Sequence, residues 1–170
     1  MRRPSFALVL CAAALALPAC QAPFDGATYR GAGFAFRVPE RPDSWQRIDA
    51  EGTSLAFRDA HGGATVAVNA RCGKDAEDVP LEALTRHLFI QFTDREPSLE
   101  EKVPFDGREA LHTVMTAKLD GVPKKFDVWV MKKDGCVYDL YLIAEPVRFD
   151  AIAGEFRKFV SGFATVPVDG

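Results

Sequence analysis

The sequence is poor in the residues that carry most chemistry. In 170 residues there are three His, four Cys, three Met and two Trp, and the formal charge is only −3. A charge that small excludes the concentrated basic surface with which nucleic-acid binders neutralise phosphates. No run of about 18 apolar residues occurs, so no segment is long enough to cross a bilayer as a helix. A Gly-rich phosphate loop, a Gly-x-Ser-x-Gly elbow and a His-Glu-x-x-His motif are all missing. Cys-x-x-Cys pairs are missing too, and no His stands near Cys72 or Cys136 in sequence, which argues against metal ligation and a redox dithiol. Ser5, Ser44, Ser54, Ser98 and Ser161 lack an evident His partner, so nucleophilic catalysis has no support. The expectation is a chain with no enzymatic activity, no cofactor and no metal.

What is present is a core. Hydrophobic residues make up 48%, with 13 Phe, enough for one packed domain. At the N-terminus Arg2 and Arg3 precede an apolar stretch from Phe6 to Leu17, too short to span a membrane and of signal-peptide length. The stretch ends in Leu17-Pro18-Ala19-Cys20. This resembles the lipobox of bacterial lipoproteins, with Pro18 standing where a small or Ser/Thr-like residue is usual; an ordinary secretory signal is the alternative. The resemblance implies that residues 1–19 are removed. Cys20 then carries a diacylglycerol and an amide-linked acyl chain, together a lasting anchor where one chain is marginal. Gln21 rather than Asp follows, which in the enterobacterial sorting scheme fits the outer membrane, facing the periplasm. Removing two Arg moves the charge to 19 − 24 = −5. Residues 20–32 read as the lipidated N-terminus and a short tether, and 33–166 as a single domain.

Cys72 and Cys136 remain, and two thiols in an exported domain predict one disulfide. One ends a strand-like run and the other begins one, a placement compatible with bridging. Two separate buried thiols are the other reading.

Strand candidates run from Gly33 to Val38, Trp45 to Ile48, Ser54 to Asp59 and Ala64 to Cys72, with a Gly62-Gly63 turn between the last two. From Pro80 the period lengthens: Leu81, Leu84, Leu88, Phe89 and Phe92 form a helical stripe. Asp106-Gly107, Asp120-Gly121 and Asp134-Gly135 then recur fourteen residues apart. Such two-residue loops predict a four-stranded antiparallel meander over Leu99–Phe105, Arg108–Leu119, Val122–Lys133 and Cys136–Ala144. They also set the register, with Val130 opposite Asp139, Val128 opposite Tyr141 and Trp129 opposite Leu140. Both faces of that sheet are apolar at the middle, which calls for cover on both sides. After Pro146, Phe149, Ile152, Phe156, Phe159, Val160 and Phe163 form a second apolar helical stripe.

The predicted class is α+β, an α/β/α sandwich whose antiparallel sheet ends in the meander and is flanked by two main helices. It resembles the PsbP-like fold through Gly33-Phe-Ala-Phe-Arg-Val-Pro39 followed by Trp45, the Asp106-Gly107-Arg108 turn and the Phe-rich last helix. Uncharacterised small proteobacterial lipoproteins are similar too, through Val68-Asn69-Ala70-Arg71-Cys72 and Gly135-Cys136-Val137-Tyr138-Asp139-Leu140. The resemblance implies a binding or assembly role and maps no partner contacts onto particular residues.

Two places hold candidate polar chemistry. His112 falls opposite Trp129 and Glu101, as an acid–base pair, a pH-sensitive contact or simply a satisfied strand residue. Asp139 falls among Val128, Val130 and Tyr141, where a bare carboxylate is costly. Either a donor such as Arg71 satisfies it, or Asp139, Trp129 and Tyr141 belong to a ligand pocket beneath a helix. Lys124-Lys125 and Lys132-Lys133 flank one strand as solvated ends or as contacts to lipid headgroups. The leading expectation is a membrane-anchored envelope lipoprotein that binds another envelope protein in an assembly or accessory role. A periplasmic small-ligand or lipid-binding module is the alternative, with an enzyme third.

Overall fold

A computed structural model describes residues 23–61, 63–73 and 79–168. The expected signal sequence, the expected lipidation position Cys20 and Gly62 of the predicted turn lie outside the described residues. Ten strands and two helices follow in the order β1 (Thr28–Gly31), β2 (Phe34–Arg37), β3 (Trp45–Ile48), β4 (Leu55–Asp59), β5 (Thr65–Cys72), α1 (Leu81–Leu88), β6 (Thr93–Phe105), β7 (Arg108–Leu119), β8 (Val122–Lys133), β9 (Cys136–Ala144), α2 (Pro146–Gly162) and β10 (Ala164–Val166).

The three Asp-Gly turns build the frame. At the first, Asp106 and Gly107 take φ of 45° and 73°, so both turn residues are left-handed. That conformation matches the twist of the flanking strands, and Asp and Gly adopt it at least cost. The strands pair directly on either side, Phe105 with Arg108, Leu119 with Val122, and Lys133 with Cys136. The register follows the sequence expectation: Val130 faces Asp139, Val128 faces Tyr141, and His112 lies between Glu101 and Trp129. β5 then pairs along β9, giving a seven-stranded antiparallel sheet in the order β3-β4-β5-β9-β8-β7-β6.

Alternation along β9 splits the interior in two. Leu140, Leu142 and Tyr138 point to one face, where Phe149, Phe156 and Phe159 of α2 cover them together with Phe34 and Phe36. Val137 points to the other, under Leu81 and Leu84 of α1 with Phe126, Val128 and Val130. A helix therefore lies on each face, the α/β/α sandwich that two apolar sheet faces require.

Four elements depart from expectation. β6 begins at Thr93, six residues ahead of the expected Leu99. Thr28–Gly31, placed in the tether from its Gly/Ala content, is strand β1 and pairs with β2 from Thr28–Arg37 to Gly31–Phe34. The domain thus includes residues before 33. Ala164–Val166 adds to the opposite edge of β2, closing a three-stranded sheet of order β1-β2-β10. α1 ends at Leu88, with turns over Phe89–Gln91, while the stripe residue Phe92 still packs on Phe89 and Phe126.

Candidate functional site

Cys72 and Cys136 are direct cross-strand partners at one end of β5 and β9, with Cα atoms 4.0 Å apart, and they form a disulfide. The bridge closes a separation of 64 residues and fastens the meander to the N-terminal strands.

The α2 face of β7 and β8 holds a buried polar cluster. The Asp127 carboxylate is fully buried, and its Oδ1 accepts from Trp129 Nε1 at 3.0 Å and lies 2.9 Å from His112 Nε2. Nδ1 of the same imidazole stands 3.5 Å from Glu101 Oε1 on the edge strand β6. The His112 ring stacks on the Trp129 indole at 4.2 Å between centroids. Asp127 Oδ2 has no hydrogen-bond partner and faces Arg157 Nε of α2 at 3.7 Å. A carboxylate on each side fixes the imidazole, so the ring joins β6, β7 and β8, and Arg157 adds α2 through Asp127. Asp127 is the residue that sequence reasoning missed. The signal was in the register, because Asp127 lies two residues from Trp129 and diagonally across from His112 on the same face.

Asp139 lies on the opposite face and is also fully buried. Arg71, one strand away, forms a hydrogen-bonded ion pair with its Oδ2, the Arg71 pairing that the sequence allowed for. Burial pushes the Asp139 carboxyl above its ordinary value, while Arg71 and, more weakly, His87 pull it back. Its Oδ1 has no hydrogen-bond partner. Tyr141 shares this face, and burial followed by the Asp139 charge raises its hydroxyl pKa. Tyr141 lines a 260 Å³ pocket with Phe89, Phe92, Phe126 and Asn69, but Asp139 does not line it. Trp129 lies on the α2 face. The structure therefore brings Asp139 and Tyr141 to one side and leaves Trp129 on the other, so the three do not share a pocket.

Three of the four paired lysines make contacts within the fold. Lys125 reaches Asp150 at 3.5 Å and lies over the Phe149 ring. Lys132 donates to the Val79 carbonyl, and Lys133 donates to both the carbonyl and Oδ2 of Asp106.

A larger concavity lies elsewhere. Residues 37–45 and the outer side of α2 enclose a cleft of 1320 Å³, which the sequence did not single out. Val38, Trp45 and Ile152 form its apolar floor, and Val147 stands beside it, 90% exposed. Arg37, Arg41, Arg148 and Lys158 supply cations; Glu40, Asp59 and Glu155 supply acids. Ala27, just ahead of β1, also lines it, so the cleft opens beside the N-terminal entry of the chain. A cleft that joins apolar floor to a few converging polar groups has the composition of a binding site.

No family model and no curated protein matches the sequence, whereas solved structures do match the fold. A protein from Bacteroides thetaiotaomicron superposes with a TM-score of 0.56 at 12% identity over 85% of this chain, which spans only 50% of that protein's length. Cyanobacterial PsbP (CyanoP) from Synechocystis gives 0.58 at 17% identity, covering 88% of this chain and 99% of the other. LpqN from Mycobacterium tuberculosis, described as involved in cell envelope biogenesis, gives 0.58 at 11% identity, covering 78% and 83%. At these identities the likeness is one of architecture, and the architecture of this domain is PsbP-like.

Proposed function

We propose that the chain is a bacterial envelope lipoprotein, anchored through Cys20 to the outer membrane on its periplasmic side. In this reading its domain binds another envelope protein in an assembly or accessory role without catalysing a reaction. The cleft between residues 37–45 and α2 carries the proposal. It is several times larger than the pocket beside Tyr141 and combines an apolar floor with charged walls. Ala27, which also lines it, lies a few residues after the predicted anchor in sequence. The lipobox-like Leu17–Cys20 segment supports the placement. So does the likeness to LpqN, a protein of cell envelope biogenesis with the same architecture.

Site-specific photocrosslinking in living cells tests it. A photoreactive amino acid in place of Val147 is expected to capture a discrete envelope protein. The same group in place of Val122, exposed at the β7–β8 turn, is expected to capture none. Equal or absent capture at both positions would sink the proposal.

A further inference from the structure

The cations of the cleft are unevenly satisfied. Lys158 is paired with Glu155 at 2.8 Å. Among the described residues, Arg37, Arg41 and Arg148 form no ion pair with any carboxylate. Arg148 donates only to the His61 carbonyl at 3.3 Å. The guanidinium of Arg41 lies 4.5 Å from the centre of the Phe57 ring and 5.6 Å from that of Phe24. Burial alone pulls the Arg41 pKa below its ordinary value, as expected of a cation desolvated without an anion. Of the other two lining acids, Asp59 is buried and Glu40 is exposed. A protein of net charge −3 thus gathers three guanidiniums without carboxylate partners around an apolar floor.

We infer that this cleft takes an acidic, partly apolar segment of a protein partner, its carboxylates on Arg37, Arg41 and Arg148 and its apolar side chains against Val38, Trp45 and Ile152. The inference deepens the protein-binding reading and rests on it. Contact with the Phe57 and Phe24 rings holds the Arg41 guanidinium in place before binding, and a planar guanidinium offers a carboxylate two parallel N–H donors. The volume exceeds the few hundred Å³ to about 1,000 Å³ typical of small-ligand pockets, which favours a stretch of chain. A recessed floor favours an inserted segment over a flat bilayer surface.

Fluorescence anisotropy on the purified full chain tests this with a labelled short peptide alternating Leu and Asp, its Leu/Asn counterpart, and vesicles containing phosphatidylglycerol. The acidic peptide is expected to bind at least about ten-fold more tightly than the amide version, and less tightly as salt rises. The double variant R37Q/R41Q is expected to lose about ten-fold or more, and R37Q alone, at an exposed position, to lose part of that without altering the thermal melt. R108Q, whose parent residue pairs with Asp134 outside the cleft, is expected to bind as wild type. Equal affinity for the two peptides, binding unchanged in R37Q/R41Q, or binding to vesicles alone would overturn the inference. Crosslinking at Val147 that persists alongside any of these results would leave the protein-binding reading standing and remove only this partner chemistry.

Discussion

Asp106 and Asp139 are both withdrawn from water, yet their surroundings push them in opposite directions. Burial raises the Asp106 carboxyl, but the Thr165 amide, Lys133 and the Thr165 hydroxyl together hold it below its ordinary value. Its Oδ2 accepts from Thr165 N at 2.9 Å, Thr165 Oγ1 at 2.8 Å and Lys133 Nζ at 2.9 Å, tying β10 and the end of β8 to the first turn. A carboxyl held low when folded adds stability above its unfolded pKa and loses it as pH falls through the folded one. Asp106→Asn keeps a turn-competent residue and loses the charge, so it should cost about 1–3 kcal/mol at neutral pH. That cost should disappear on acidification, as read from urea midpoints across a pH series. Asp139 has the other sign. Its carboxyl is held high, so its contribution is complete below the unfolded pKa and is lost as pH rises through the folded value. Asp139→Asn should therefore gain stability relative to wild type as pH rises above the ordinary carboxylate range, and a constant difference would refute the account. Asp139 was legible because its neighbours follow from the turns. Asp127 was equally implied by the register but drew no notice, since the need for a partner depends on α2 covering it.

At the scale of elements, legibility tracks local signal. The meander strands β7, β8 and β9 match their predicted limits because each is bounded by an Asp-Gly turn that fixes both end and partner. β1 and β10, of four and three residues, show no useful alternation and exist because β2 offers both edges. Their pairing is set by tertiary packing, with Tyr29 stacked on Phe36 at 5.1 Å and Phe163 tilted against it at 5.5 Å. The cleft was illegible for the same reason, since its walls come from residues 37–45 and α2, far apart in sequence. The Cys72–Cys136 bridge joins the N-terminal hairpins to the meander across 64 residues. Closing a loop of that length is worth about 4 kcal/mol on the chain-entropy model. Reduction should lower the unfolding free energy by up to that amount, measured by denaturant titration with and without reductant. An unchanged midpoint would show that the bridge adds nothing to the pairing of β5 with β9.

For the whole molecule, two cores on opposite faces of one sheet make a compact body whose large cleft sits beside the entry of the chain. If Cys20 bears lipid, only a few residues separate it from β1 at Thr28, so the domain, cleft included, stays close to the membrane. At about 3.3–3.6 Å per extended residue, that link reaches no more than about 30 Å. A partner bound there must itself lie at the membrane, or extend a segment toward it. Anchoring and binding are then parts of one arrangement, and loss of the anchor should abolish partner capture while leaving the fold intact. Intact-mass and N-terminal peptide analysis of the protein from its native envelope tests the anchor most directly. The account predicts a chain beginning at Cys20 and carrying diacylglycerol and an amide-linked acyl group. A water-soluble product without fatty acid, beginning elsewhere, would contradict it.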